Sequence, residues 1–249
     1  MNALLLTFFL TVSVAAKAAD VPFRPLDSLK SGAPHLVDDG GVWVLGIGAL
    51  SVAGARDLDE DMQEHFRFQN RLGSYDSLGN EFFGTGAPGV LIGAGLWYYG
   101  ETKDDSRSVH AGHASLEAVA TTAIVVSSLK LVVGRERPDA SDRYSFPSGH
   151  TSTVFASAGV LHEFYGWKVG AAAEAIGVLT GISRVSANRH WFSDTVGGGL
   201  IGFAIGRAVA RGHRVALGEV LASENRQAAF TVVPIVDSDF AALHLVARF

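Results

Sequence analysis

The stretch KLVVGRERPDASDRYSFPSGHTSTVFASAGVLHEFYGWKVGAAAEAIGVLTGISRVSANRHWFSD, residues 130–194, decides how the chain is read. It starts near the end of one apolar run and contains two more, Ser148–Leu161 and Val169–Ile182, both of helical length and rich in Ala, Val and Leu. The polar residues fall at the ends of those runs. Lys130 closes the first, with Arg137 and Pro138 behind it, and Pro147, Ser148, Gly149 and His150 open the second. Ser183 and Arg184 close the third, and His190 and Asp194 open a fourth. In an up-and-down bundle the end of one helix and the start of the next share a side. All of these groups are therefore expected on one face.

Working outward, Gly41–Ala55, Phe82–Gly100 and Ser115–Gly134 precede that stretch as further apolar runs, and Asp194–Ala210 continues it. The fold class expected is all-α, a bundle of about six helices embedded in a membrane. Close Gly and Ala spacing suits tight helix packing there. The helical domain is expected over 41–214 with its catalytic core at 130–194. Asp20–Asp39, with Pro22, Pro25 and Pro34, reads as an irregular leader, bounded as 20–40, and Arg56–Glu81 as a solvated face or surface helix. The tail, 215–249, alternates Leu243, Leu245, Ala247 and Phe249 with polar or branched residues, which predicts a β-hairpin. His110 and His113 read as solvated loop residues ahead of the Ser115 helix.

Composition narrows the function classes. Of 249 residues, 48% are apolar and 18% charged, against roughly 25% charged in ordinary soluble domains. Mean hydropathy is +0.24. The absence of cysteine excludes disulfide scaffolds, thiolate metal sites and thiol nucleophiles. A net charge of −5 leaves no basic surplus for nucleic acid. Residues 1–19, in which the uncharged, mostly apolar run Ala3–Ala16 leads into Ala16-Lys17-Ala18-Ala19, read as a signal peptide.

The polar groups specify a chemistry. Lys130, Arg137 and Arg184 call for a polyanion, and the arginine fork fits phosphate oxygens. Ser148 and Gly149 at a helix N-terminus offer backbone N–H donors to an anion. His190 and Asp194, four apart, share a helical face, where the carboxylate can fix the imidazole tautomer. No compact Asp/Glu/His cluster competes, so neither a metal nor another cofactor is expected.

Taken together, Lys130-x6-Arg137-Pro138, Pro147-Ser148-Gly149-His150 and Ser183-Arg184-x5-His190-x3-Asp194 resemble the full signature of the type 2 phosphatidic acid phosphatase and vanadium haloperoxidase superfamily. The resemblance implies a phosphoric ester hydrolase in which His190 is the nucleophile, Asp194 orients it and His150 is general acid and then base. It further implies that Lys130, Arg137, Ser148, Gly149 and Arg184 hold the phosphoryl oxygens. Hydrophobicity favours the branch acting on lipid phosphates over soluble periplasmic acid phosphatases, and chain length disfavours haloperoxidases. The presence of both histidines disfavours a non-catalytic phosphate-binding membrane protein. The expected partners are a phosphorylated lipid or small phosphoester and the membrane itself. Arg207, Arg211 and Arg214 mark the far end of the last helix as cytoplasmic. This orientation puts the active site on the periplasmic side of a bacterial cell membrane, with five helices spanning.

Overall fold

The structure is a computed structural model that describes residues 24–36, 42–69, 85–218 and two strands, 229–236 and 241–248. Among the described residues there are eight helices: α1 (Pro25–Leu36), α2 (Val42–Asp57), α3 (Asp59–Gln69), α4 (Ala87–Lys103), α5 (Ser106–Val133), α6 (Gly149–Tyr165), α7 (Trp167–Ser186) and α8 (Phe192–Ala216). Strands β1 (Ala229–Val236) and β2 (Ala241–Arg248) pair antiparallel, Val232 opposite Leu245. Residues 1–19, read as a signal peptide, lie outside the described residues.

Two of the helices were not among the six expected. The leader is not irregular throughout: Pro25 occupies the first turn of α1, where a missing N–H costs nothing, and Pro34 falls in its last turn. The charged segment after Asp57 forms α3, with three acidic residues in its first turn where the helix dipole favours them.

α8 is the central element, packed against α6, α1 and α5. Its crossing with α6 is close because Gly202 and Gly206 present no side chain. A Cβ at Gly202 would lie 2.0 Å from the Ser152 carbonyl oxygen, and one at Gly206 would lie 2.0 Å from that of Ala156. The core at this crossing is correspondingly small-sided, with Ala111, Ala114 and Ala118 of α5, Ala156, Val160 and Phe164 of α6, and Val209 and Ala210 of α8.

α5 begins nine residues earlier than the hydropathy pattern predicts, at Ser106, capped by the Asp105 carboxylate, which accepts the Arg107 N–H at 3.1 Å. The expectation for His110 and His113 is thereby corrected. Both lie within α5; His113 is buried and His110 half-buried. His110 Nδ1 meets His213 Nδ1 at 3.0 Å, and His213 Nε2 meets the fully buried Glu117 carboxylate at 3.0 Å. Glu117 also accepts the Arg24 N–H at 2.7 Å, and so ties the start of α1 to α5 and α8. These polar residues lower the local hydropathy without breaking the helix, because they pair with one another across the bundle.

At the same far end, Arg207, Arg211 and Arg214 converge on one carboxylate, Glu163, at 2.5, 3.1 and 3.1 Å. The motifs singled out from the sequence occupy the opposite end. α5 ends there under Gly134, whose φ of +59° suits glycine and whose N–H caps the Lys130 carbonyl.

Candidate active site

Each predicted site residue comes from the end of an element, and the structure gathers them. Lys130 lies in the last turn of α5, and its ammonium donates to the carbonyls of Tyr144 and Ser145, holding the connecting loop to the helix. Arg137 is anchored from three directions. Its Nε donates to Asp142 at 2.7 Å, one Nη to the Arg189 carbonyl at 2.7 Å, and the same nitrogen lies 3.4 Å from His190 Nε2. Arg184 is buried in the last turn of α7, and its carbonyl accepts the N–H of both Arg189 and His190. Lys130, Arg184 and Arg137 all act electrostatically on His190, and all three act on His150 as well. The three cations and two histidines thus share one pocket.

His190 is 2% exposed and its ring is oriented from both sides. An arginine can only donate, so Nε2 is the acceptor and the ring proton sits on Nδ1. That nitrogen faces Asp194 Oδ2 at 3.7 Å, just beyond hydrogen-bond length, and has no hydrogen-bond partner in this arrangement. Burial is the largest influence and pushes the imidazole down to about 4; Asp194 opposes this, and the three cations add to it. The ring is therefore neutral at pH 7, with its Nε2 lone pair directed at the cations.

Asp194 is fully buried and its oxygens are well partnered. Oδ1 accepts from Arg135 at 2.7 Å, and Oδ2 accepts from the Ser145 hydroxyl and from the Trp191 N–H at 2.9 Å. Neither Arg135 nor Ser145 was singled out from the sequence, although Arg135 stands two residues before Arg137. Its signal was overlooked because a single arginine in a loop has no periodicity to mark it. Arg135 also reaches Asp59 of α3 at 2.6 Å.

At the start of α6 the expected donors divide. The Ser148 N–H is already committed to the Asp194 carbonyl at 3.0 Å, and its hydroxyl pairs with Thr151. This bond locks α6 to α8 beside the catalytic pair. The N–H groups of Gly149 and His150 lie in the first turn, where a helix has no internal partner for them and its dipole favours an anion. A Cβ at Gly149 would meet Val126 and the Lys130 Cε at ordinary contact distances of 3.6 and 4.0 Å, so Lys130 lies beside this turn. Among the described residues no group of three or more His, Asp or Glu is arranged to hold a metal ion.

An apolar cavity of about 360 Å³ opens beside this pocket between α6, α7 and α8. Thr151 and Thr195 stand at its near end, each one residue from His150 or Asp194, and Phe155, Ile182, Leu200 and Phe203 line its length.

The helical bundle thus collects two histidines, a carboxylate and three cations at one end, a charge arrangement suited to an anion. The PAP2 superfamily profile matches residues 112–216 of this chain. Across 85 residues it is 41% identical to the lipid A 1-phosphatase of Porphyromonas gingivalis, covering 33% of this chain and 19% of that protein. Across 71 residues it is 38% identical to the lipid A 4′-phosphatase of Helicobacter pylori, covering 28% and 36%. Phosphatidylglycerophosphatase B of Bacillus subtilis is 30% identical across 131 residues, 47% of this chain and 61% of that one. The chain thus spans less than two thirds of each of these relatives. The fold is similar to the crystal structure of a transmembrane PAP2 type phosphatidylglycerolphosphate phosphatase from Bacillus subtilis, with a TM-score of 0.50 and 22% identity over 75% of this chain and 96% of that one.

Proposed function

We propose that the protein is a metal-independent phosphatase of lipid phosphates, working through a phosphohistidine. The observation that carries this reading is the neutral, buried His190 with Nε2 directed at Arg137 in a pocket shared with Lys130, Arg184 and His150. Phosphoryl transfer chiefly requires positioning and neutralisation of oxygen charge, which these cations supply. With the phosphoryl oxygens on Lys130, Arg137, Arg184 and the first N–H groups of α6, Nε2 attacks phosphorus and the ester P–O bond breaks. Burial and the surrounding cations hold His150 down to about 3 in the empty pocket, so its acid role requires the negative charge of a bound phosphoryl group to draw a proton onto it; the leaving oxygen then takes that proton, and the Asp194 carboxylate stabilises the positive His190 ring. His150 then takes a proton from water, whose oxygen attacks phosphorus, breaks the N–P bond and releases phosphate.

A lipid substrate is favoured over a small soluble ester by the surface around the pocket. Among the described residues Ser106–Val133 is long and apolar enough to cross a bilayer, and only 33% of its most apolar window is buried. Leu131 and Val132, beside Lys130, are 71% and 82% exposed. The bundle is accordingly read as membrane-embedded. The arginine cluster at the far end of α8 supports a periplasm-facing, exported orientation. The substrates named for the relatives make phosphatidylglycerol phosphate and lipid A the first candidates, with phosphatidate and polyprenyl pyrophosphate next.

The test is phosphate release by purified protein from those four lipids and from para-nitrophenyl phosphate. Activity should persist in excess EDTA, vanadate should inhibit it, and acid quenching should trap phosphate on protein. His190→Ala should lose at least about a thousandfold in kcat while melting near the wild-type temperature. A folded His190→Ala enzyme with near-normal turnover contradicts the nucleophile, and a chelator-sensitive enzyme restored by magnesium contradicts the metal-free mechanism.

A further inference from the structure

We propose that α3, which lies outside the superfamily match, carries two positioning residues, Asp59 and Gln63, that set the geometry of the His190–Asp194 pair. The proposal rests on the phosphatase reading above. Asp59 and Gln63 are four apart on one face of α3 and are 4% and 9% exposed, unusual burial for polar residues in a helix whose neighbouring positions are mostly charged.

Asp59 acts on the start of α8. Its Oδ1 accepts the Ser193 N–H at 2.7 Å, and Oδ2 accepts the Ser193 hydroxyl at 2.8 Å. The residue at the head of α8, Trp191, has no side-chain oxygen to receive that N–H, so a carboxylate from another helix does so. Oδ2 also receives Arg135 Nη2 at 2.6 Å, while Arg135 Nη1 spans to Asp194 Oδ1 at 2.7 Å and the ring of Trp191 lies under the guanidinium. One arginine thus bridges two carboxylates, and its planar fork fixes their separation.

Gln63 acts on the preceding loop. Its amide nitrogen donates to the Val185 carbonyl at 3.1 Å and to the Asn188 side chain. Asn188 has φ +59°, a left-handed conformation that turns the chain from Arg184 back to His190. One face of α3 therefore holds both the turn that presents His190 and the helix start that presents Asp194.

The charge arrangement has a consequence for catalysis. When Nε2 bonds to phosphorus the ring becomes positive, and Asp194 stabilises it through its negative charge. Arg135 draws on that charge, and Asp59 offsets Arg135. Loss of Asp59 leaves Arg135 and Asp194 as a closed pair, with Asp194 less available to the ring. The effect belongs to the transition state and should fall on kcat rather than on KM.

The experiment compares the purified wild type with Asp59→Asn, Arg135→Gln, their double variant and Gln63→Ala, measuring kcat, KM and melting temperature on a lipid phosphate and on para-nitrophenyl phosphate. Asp59→Asn should lower kcat about 10- to 100-fold, the scale of a small misplacement of reacting groups, with KM within about threefold on either substrate. The double variant should be no slower than Arg135→Gln alone, because the two residues act as a unit. Gln63→Ala should lower kcat in the same manner without altering charge, and it carries the test if Asp59→Asn does not fold. Unchanged kcat per folded enzyme, or losses that simply add, would overturn the proposal and leave α3 as a structural strap. A wild type that hydrolyses no phosphate ester overturns the phosphatase reading, and this proposal with it. An active wild type with indifferent Asp59 and Gln63 variants overturns this proposal alone.

Discussion

His190 concentrates the residue-scale physics. A solvated imidazole titrates near 6.5, and a nucleophile protonated there would be idle in any acidic compartment. Burial holds His190 down to about 4, so the ring stays unprotonated well below neutrality. Since protonation at Nε2 removes the attacking lone pair, activity is lost as pH falls through the folded value. With the ionisation of the substrate divided out, the acid limb of kcat/KM should bend near pH 4, with full activity still present at pH 5.5. A limb at 6–7 that moves on His190→Ala rescue by imidazole would show a solvated nucleophile instead. The sequence made this site legible because its residues are tied to helix ends, whose position in a bundle follows from chain order. The partners of Asp194 were not legible. Arg135 and Ser145 reach it from a loop, and Asp59, on a helix more than a hundred residues away, acts on it through Arg135; no local spacing records such contacts.

Among the elements, the crossing of α6 and α8 determines where His150 stands relative to Asp194. Gly198, Gly202 and Gly206 recur every fourth residue along α8 and face α6, and the Ser148 N–H bonds the Asp194 carbonyl at the end of this seam. At Gly202 the obstructing atom is a backbone oxygen, which cannot rotate away. Gly202→Ala should therefore force the helices apart and cost about 3 kcal/mol or more, the upper range of overpacking. It should depress turnover together with melting temperature. Gly95 in α4 is the contrast, since a Cβ there meets nothing within 4 Å. Gly95→Ala should be neutral or stabilise by up to about 1 kcal/mol. Equal effects at the two positions in a thermal melt would remove the packing argument. Helix composition was readable from the sequence, but helix extent was less so. α1 was obscured by its prolines, of which Pro25 occupies the tolerated first turn and Pro34 lies inside the helix near its end. The first two turns of α5 were obscured by Ser108, His110 and His113, which are satisfied by Asp105, by His213 and by packing on Trp97 respectively.

For the whole molecule, the question is how one phosphoryl site meets a lipid. The pocket lies at one end of the bundle, and the apolar cavity leaves it along α7 and α8, from Thr195 toward Phe203. Eight helical residues at 1.5 Å each make this about 12 Å, the length of roughly nine methylenes. A chain lying there would gain about 0.8 kcal/mol for each methylene removed from water, or from contact with a less closely packed lipid environment somewhat less. Gly181 borders the cavity, and a Cβ there would meet Thr195 at a tight 3.3 Å and Thr151 at an ordinary 3.7 Å, so a longer side chain fits once Thr195 yields by a few tenths of an ångström. Gly181→Leu should displace about two methylenes, some 1.6 kcal/mol, and raise KM for a long-chain lipid phosphate about tenfold. Turnover of para-nitrophenyl phosphate, which has no chain to displace, should stay within about threefold. An equal loss on both substrates would mean that the substitution disturbed Arg184 and the phosphate pocket. No loss on either would place the lipid chain elsewhere, against the exposed apolar flank of α5 formed by Ile124, Leu131 and Val132. A lipid-selective loss ties the site's chemistry to the cavity, because the same three helices that bring His150, Arg184 and Asp194 together also form its walls.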